Sequence, residues 1–246
     1  MKFKIPKTLL GEPVKTGELE KFLAGEIEEN QEQKGLVQTG KGDITDKMIY
    51  VPLINMGFAK QRSHYNLNWN DTHKALFSEG MKMPSIEQTW ELIFYLRDNL
   101  DNPECKQVYD DILQLTPNGS WHGEWQNNIF SNENNKMYVQ HVKGIDSQGD
   151  LQLTNKIEIK DCLSSDGWVD INSKTNISNN GLCKVESGLQ GYSQGENIYF
   201  WYPRDGSVAG FNVDSGRAYL DCNWGADGSY ASLGVRGCCE ATRTKI

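Results

Sequence analysis

The sequence predicts an α+β fold with its helices first and its sheets second, and three observations predict it. Apolar residues recur at helical spacing between residues 71 and 113. After Thr116 they give way to short strand-like runs set among Asn, Ser and Gly turns. Near the C-terminal end the pattern becomes strict two-residue alternation.

Residues 1–45 read as an extension. Pro6, Gly11, Pro13 and Gly17 break its first stretch; Leu19, Phe22, Leu23 and Ile27 then share one face of a short acidic helix, suited to packing on the main domain or to oligomerisation. The polar run at 28–35 reads as a linker. Residues 48–54 predict a strand that opens the main domain, with Pro52 marking an edge or a bulge. A first helix is expected at 71–79, capped by Asn70 or Asp71 and stopped by Gly80. A second opens at Ser85, where Ser85-Ile86-Glu87-Gln88 forms a capping box, and carries the stripe Ile86, Trp90, Ile93, Phe94 and Leu100 up to a break at 99–103. Cys105, Val108, Tyr109, Ile112 and Leu113 continue helically for two more turns. Strands are expected at 137–142 and 168–171.

In Gly210-Phe211-Asn212-Val213-Asp214-Ser215-Gly216-Arg217 the even positions are small or polar, while Phe211 and Val213 are apolar. Ala218-Tyr219-Leu220-Asp221-Cys222-Asn223 repeats the alternation with Ala218, Leu220 and Cys222 on the apolar side. Alternation places the two sets on opposite faces of an extended chain. One face is thus fixed by packing, as in any half-buried strand. The other carries Gly, Asn, Asp and Tyr, residue types of an adaptable binding surface. Seven of the 24 glycines lie between Asp205 and Glu240, beside Tyr219, Trp224 and Tyr230, so large rings stand among residues with little side chain.

Composition narrows the partners. The net charge is −8, from 33 acidic against 25 basic residues, which disfavours nucleic acid and anionic membranes. No apolar run has the length of a membrane span, and Met1-Lys2-Phe3-Lys4-Ile5-Pro6 lacks a signal-peptide core, an expectation that leaves virion and cytoplasm open. The six cysteines form no C-x-x-C pair, so zinc is disfavoured; Cys162 with Cys183 is left open as a disulfide. None of His64, His73, His122 and His141 lies in a metal-ligand motif. His122, between Trp121 and Trp125 and close to Glu124, reads as a core plug. No nucleophile elbow or phosphate-binding glycine loop is present.

Several motifs carry a resemblance. Gly80-Met81-Lys82-Met83-Pro84-Ser85 between the helices, and Leu233-Gly234-Val235-Arg236-Gly237-Cys238 at the end, resemble the C-type lectin fold in its formylglycine-generating-enzyme-like branch. Trp201-Tyr202-Pro203-Arg204, Ser207-Val208-Ala209, Phe211, Arg217-Ala218, Leu220, Cys222 and Leu233-Gly234-Val235-Arg236 are similar to the variable proteins of diversity-generating retroelements, of the type found in archaea, their viruses and small-genome bacteria. The resemblance implies two helices packed on short twisted antiparallel sheets over residues 46–246, a loop-rich second half and a variable region at about 201–238. In that family an error-prone copy, mutated at adenines, replaces the end of the gene. By position, the varied ligand-binding residues are then Gly210, Asn212, Asp214, Gly216, Tyr219, Asp221, Asn223, Trp224, Gly225, Gly228 and Tyr230. Phe211, Val213, Leu220, Cys222, Leu233 and Val235 would anchor them, and Arg204, Arg217 and Arg236 would hold loops through carbonyls or carboxylates.

The resemblance implies a non-enzymatic binder, without cofactor or metal, of a protein on a cell or virion surface. The sequence departs from two related activities. Trp69-Asn70-Asp71 precedes the first helix instead of lying late in the chain, as calcium-dependent sugar binding requires. Cys222, Cys238 and Cys239 lack the spacing of the oxidase's cysteine pair. Those activities, oxidase or calcium lectin, are the alternatives.

Overall fold

A computed structural model describes residues 41–42 and 45–241. The acidic helix and linker expected before residue 41 lie outside the described residues. Residues 41–42 themselves form a strand paired with the last one, so the main domain reaches further toward the N-terminus than the expected boundary at residue 46.

The fold is α+β. Among the described residues three α-helices, α1 (Trp69–Ser78), α2 (Ile86–Arg97) and α3 (Pro103–Leu113), stand where two and a continuation are expected. Helix α1 starts earlier than the sequence predicts. Asn68, not Asn70 or Asp71, is the cap, its side chain accepting from the Asp71 N–H at 2.8 Å. Burial of Trp69, whose indole N–H reaches the Gln126 carbonyl at 2.8 Å, draws the helix start ahead of both expected caps. The helix gives way at Gly80, whose φ of 72° suits a residue without Cβ. Helix α2 begins with the expected capping box at Ser85 and Gln88. It ends at Arg97, so Leu100 lies past it and is 39% exposed. Helix α3 is a separate element: Asn102 accepts from the N–H groups of Glu104 and Cys105, and Pro103 occupies the first turn, where a missing N–H costs nothing.

Fourteen strands are described. β1 (Lys41–Gly42), β2 (Met48–Val51), β3 (Met56–Ala59) and β14 (Cys238–Ala241) form a sheet in the order β1-β14-β3-β2, with Pro52 ending the edge strand β2. The large sheet is built from β4 (His122–Glu133), β5 (Lys136–Gln140), β8 (Ile157–Glu158), β9 (Gly167–Asp170), β10 (Asn197–Trp201), β11 (Val208–Val213) and β12 (Ala218–Trp224), in the order β8-β5-β4-β11-β12-β10-β9, and β13 (Leu233–Gly234) joins β4. β6 (Val142–Ile145) and β7 (Leu151–Leu153) pair with each other.

The four-stranded and the large sheet are mixed, not antiparallel as expected; only the β6–β7 pair is purely antiparallel among the described residues. β1 with β14, β10 with β12 and β13 with β4 run parallel. The cause is topological: the chain leaves β10, crosses to β11 and returns as β12 between the two. Alternation reports the two faces of a strand and is blind to the direction of its neighbour.

The inner face of the large sheet packs under α2 and α3. Ile198, Phe200, Phe211, Val213, Ala218, Leu220 and Cys222 are all buried there, and Trp90 meets Phe211 edge-on at 5.1 Å. A second core lies on the other side, where Trp69, Leu76 and Phe77 of α1 join Trp125, Leu233 and Val235. All six anchor residues expected from the sequence are buried. All six cysteines are thiols, including Cys162 and Cys183. His73 is fully buried in α1 between Trp69 and Phe77, both ring nitrogens without a hydrogen-bond partner among the described residues. Burial lowers its imidazole to about 3.

Candidate functional site

The outer face of the large sheet is open over β9, β10 and β12 and covered over β4. Register lines up two rows across it. Trp168, Tyr199, Tyr219, Asn212 and Gly123 are successive partners from β9 to β4. Trp201, Asp221, Gly210 and Trp125 form the next row. Residues two apart on a strand share a face, so both rows point outward.

At the open end, Trp201, Asp214, Arg217, Tyr219, Asp221 and Asn223 line a shallow depression of about 250 Å³. The Arg217 guanidinium lies over three rings, at 4.8 Å from the centroid of Tyr199 and 5.9 Å from those of Trp201 and Tyr219. Trp168 meets Tyr199 edge-on at 5.4 Å and Tyr199 tilts against Trp201 at 5.0 Å, so the rings brace one another. Asp214 closes the β11–β12 turn: its Oδ1 accepts from the N–H groups of Gly216 and Arg217 at 2.6 and 2.9 Å.

Asp221 is only 8% exposed, and its Oδ1 accepts from the Asn223 N–H at 3.0 Å. Among the described residues it forms no ion pair. Burial pushes its carboxyl up to about 6, against the pull of that N–H, of the Trp224 indole and of the more distant Arg204. Burial, then the Asp214 carboxylate, pushes the Tyr219 phenol up to about 12.

Beside the depression Trp224 stacks on Trp121 at 5.5 Å, and its edge contacts involve Trp125 at 5.6 Å and Tyr230 at 5.3 Å. Tyr230 is the outermost of these rings, 48% exposed.

The eleven residues expected to bind a ligand therefore separate into groups. Asp214, Tyr219, Asp221 and Asn223 line the depression. Trp224 and Tyr230 form its aromatic neighbour, and Gly216, Gly225 and Gly228 lie in turns at least partly open to solvent. Gly210 and Asn212 do not reach the surface. Asn212 is 1% exposed and occupies the slot left by Gly123, where an added Cβ would sit 2.0 Å from its Oδ1. Both residues face outward as alternation requires, but that part of the face is closed: Asn212 folds over Gly123, and Trp125, the partner of Gly210, belongs to the second core. Sequence reasoning omitted Trp168, Tyr199, Trp201 and Trp121. The alternation of buried Ile198 and Phe200 with Tyr199 and Trp201 was present in β10, hidden because every one of those residues is apolar or aromatic.

The three arginines behave differently. Arg204 bonds the Tyr202 carbonyl and grips Asp166 with both oxygens, at 3.1 and 2.9 Å. Arg236 is buried and bonds Glu124, Asp111 and the carbonyls of Ala59 and Lys60. Arg217 rests on rings and holds neither a carbonyl nor a carboxylate among the described residues.

Above the Arg236 network lies a larger cleft, about 990 Å³, with Arg62, Lys106, Asp110, Asp111 and His122 in its lining. His122 is half-buried there, not a core plug, with its Nε2 3.1 Å from the Asp111 carbonyl. Burial, then Arg62, lowers its imidazole. Burial alone would raise the Asp111 carboxyl, but the Arg62 and Arg236 guanidiniums hold it below the ordinary range. Ion pairs of Arg62 with Asp111 at 2.7 Å and Lys106 with Asp110 at 2.5 Å satisfy the cleft's charges internally.

No known protein family, characterised protein or solved structure matches the chain. Among the described residues no three His, Cys, Asp or Glu side chains are grouped to hold a metal ion, and no helix is long and apolar enough to cross a membrane.

Proposed function

We propose that the chain is a non-enzymatic binding protein of C-type lectin fold, a variable protein of a diversity-generating retroelement that displays residues of its last strands and turns to a protein on a cell or virion surface. The observation that carries this reading is the division of one chain segment by parity. From 211 to 222, Phe211, Val213, Ala218, Leu220 and Cys222 are locked in the core under α2 and α3, while Asp214, Tyr219 and Asp221 line an open depression on the other face. A surface that must accept changing side chains needs this separation, because substitutions there leave the packed face untouched. The lectin-like expectation is supported by the helix that stops at Gly80, by the turn through buried Met83 into the Ser85 capping box, and by the buried segment at 233–238. The oxidase alternative is weakened by its thiols: burial pushes Cys222 and Cys238 well above the ordinary range, opposite to the shift that activates a nucleophilic cysteine.

The test is to sequence the locus, with the DNA flanking its 3′ end, from many members of one population. The expected result is a near-copy of codons 201–238 beside a reverse transcriptase gene, with adenines wherever the gene differs. Differences should fall at 214, 216, 219, 221, 223–225, 228 and 230, and spare the buried positions 210 and 212. An invariant gene without such a copy overturns the reading.

A further inference from the structure

Asp221 is more than nine-tenths buried, yet it lines a depression and has no cationic partner among the described residues. A carboxylate in that setting is held mostly out of water, and the one guanidinium that acts on it from a distance, Arg204, is itself paired with Asp166, a costly arrangement unless a cation from outside completes it. Aromatic faces surround it. The negative faces of aromatic rings attract cations, and these rings already carry one, the Arg217 guanidinium seated over Tyr199, Trp201 and Tyr219. The lining holds two carboxylates, Asp214 and Asp221, against one guanidinium, and the whole chain carries a net charge of −8. Long-range attraction, local charge and ring geometry therefore favour the same kind of visitor.

We infer that the depression between Trp201, Tyr219 and Asp221 receives a basic side chain, an arginine or lysine, of the protein partner, with Arg217 as the internal cation that it displaces or joins on the rings. This rests on the binding-surface reading above and adds the chemistry of the partner. Trp201 and Arg217 belong to the motifs held constant, whereas Asp221 is among the varied positions. Trp201, with Tyr199 before the variable region, thus supplies a general cation platform, and Tyr219 and Asp221, both varied positions, set the preference of this particular chain.

The experiment is an NMR titration of the full chain with Nα-acetyl-arginine methylamide and Nα-acetyl-lysine methylamide, with the citrulline analogue as an uncharged isostere. Saturable shifts are expected at the Trp201 indole N–H, the Tyr219 ring and the Asn223 amide, with the citrulline probe roughly tenfold weaker. Asp221→Asn should weaken the cationic probes by about tenfold, and Arg217→Gln should strengthen them. Ser147→Ala, in the exposed turn between β6 and β7, should leave them unchanged. Equal binding of the citrulline probe, undiminished binding to Asp221→Asn, or no saturable shift at these residues overturns the inference. If the codon comparison succeeds while this titration fails, only the partner chemistry falls.

Discussion

Arg236→Ala is expected to cost about 3–5 kcal/mol of stability, a large part of the margin of an ordinary domain. Arg236 is 1% exposed and its guanidinium makes four hydrogen bonds: to Glu124 at 3.1 Å, to Asp111 at 2.7 Å, and to the carbonyls of Ala59 and Lys60 at 3.0 and 2.6 Å. It ties together the strand-like segment at 233–238, β4, α3 and the chain after β3. Removing it leaves Glu124 buried without its cation and two carbonyls without donors, which costs far more than the pair contributes when intact. Urea denaturation of Arg236→Ala beside the double variant Arg236→Met/Glu124→Leu separates these contributions. The double variant should lose much less than the single one, because no buried charge is orphaned. Equal losses would mean that the network acts through shape alone.

Asp221→Asn is expected to act in the opposite direction, raising stability at pH 8 by about 2–3 kcal/mol, since a tenfold change in proton affinity between the folded and unfolded chain is worth about 1.4 kcal/mol. The folded-state carboxyl, at about 6, lies above its ordinary 3.8. The native chain therefore keeps a proton that the unfolded chain has already lost, and the parent loses stability as pH rises from 3.8 to 6. Above that window the cost is complete, and the amide escapes it while still accepting from the Asn223 N–H. His73 supplies the reverse slope. Its folded value of about 3 lies below the ordinary 6.5, so the unfolded chain takes up a proton first and the parent loses stability as pH falls below 6.5. The two slopes oppose each other where the windows overlap. The difference between Asp221→Asn and the parent should therefore grow with pH from about 4 to 6, while the difference between His73→Leu and the parent should grow as pH falls. Denaturation at pH 4.5 and 8 checks both. An Asn variant less stable than the parent at pH 8 would mean that the carboxylate already has a compensating partner. A buried charge kept at such a cost is the usual mark of a site shaped for binding instead of stability.

Period-two alternation was enough to read the packed face. Phe211, Val213, Ala218, Leu220 and Cys222 lie where their parity puts them, because a strand offers only two faces and a helix covers one of them. The same pattern could not reveal that part of the other face is covered too. Gly210 and Asn212 face away from α2, but β4 lies beside them and the packing of α1 on Trp125 closes that end. A property of neighbouring strands is not carried by the strand's own residues. The capping box at Ser85 was legible because its partners are local, whereas Asn68 prevailed over Asn70 and Asp71 through the burial of Trp69, a long-range event. The aromatic half of the depression, Tyr199 and Trp201, was hidden in a strand whose two faces are both hydrophobic in composition, one buried and one displayed.

Saturation substitution of residues 201–238, with folded yield on a display host read position by position, tests most directly whether the last strands divide into a fixed face and a free one. Broad tolerance is expected at Asp214, Gly216, Tyr219, Asp221, Asn223 and Tyr230. Near-exclusive retention of the native or a similar side chain is expected at Phe211, Val213, Leu220, Cys222, Leu233, Val235 and Arg236, with Gly210 and Asn212 restricted alongside them. Equal restriction of the two faces would contradict that division, and would make the outer rings part of a core instead of a surface built for change.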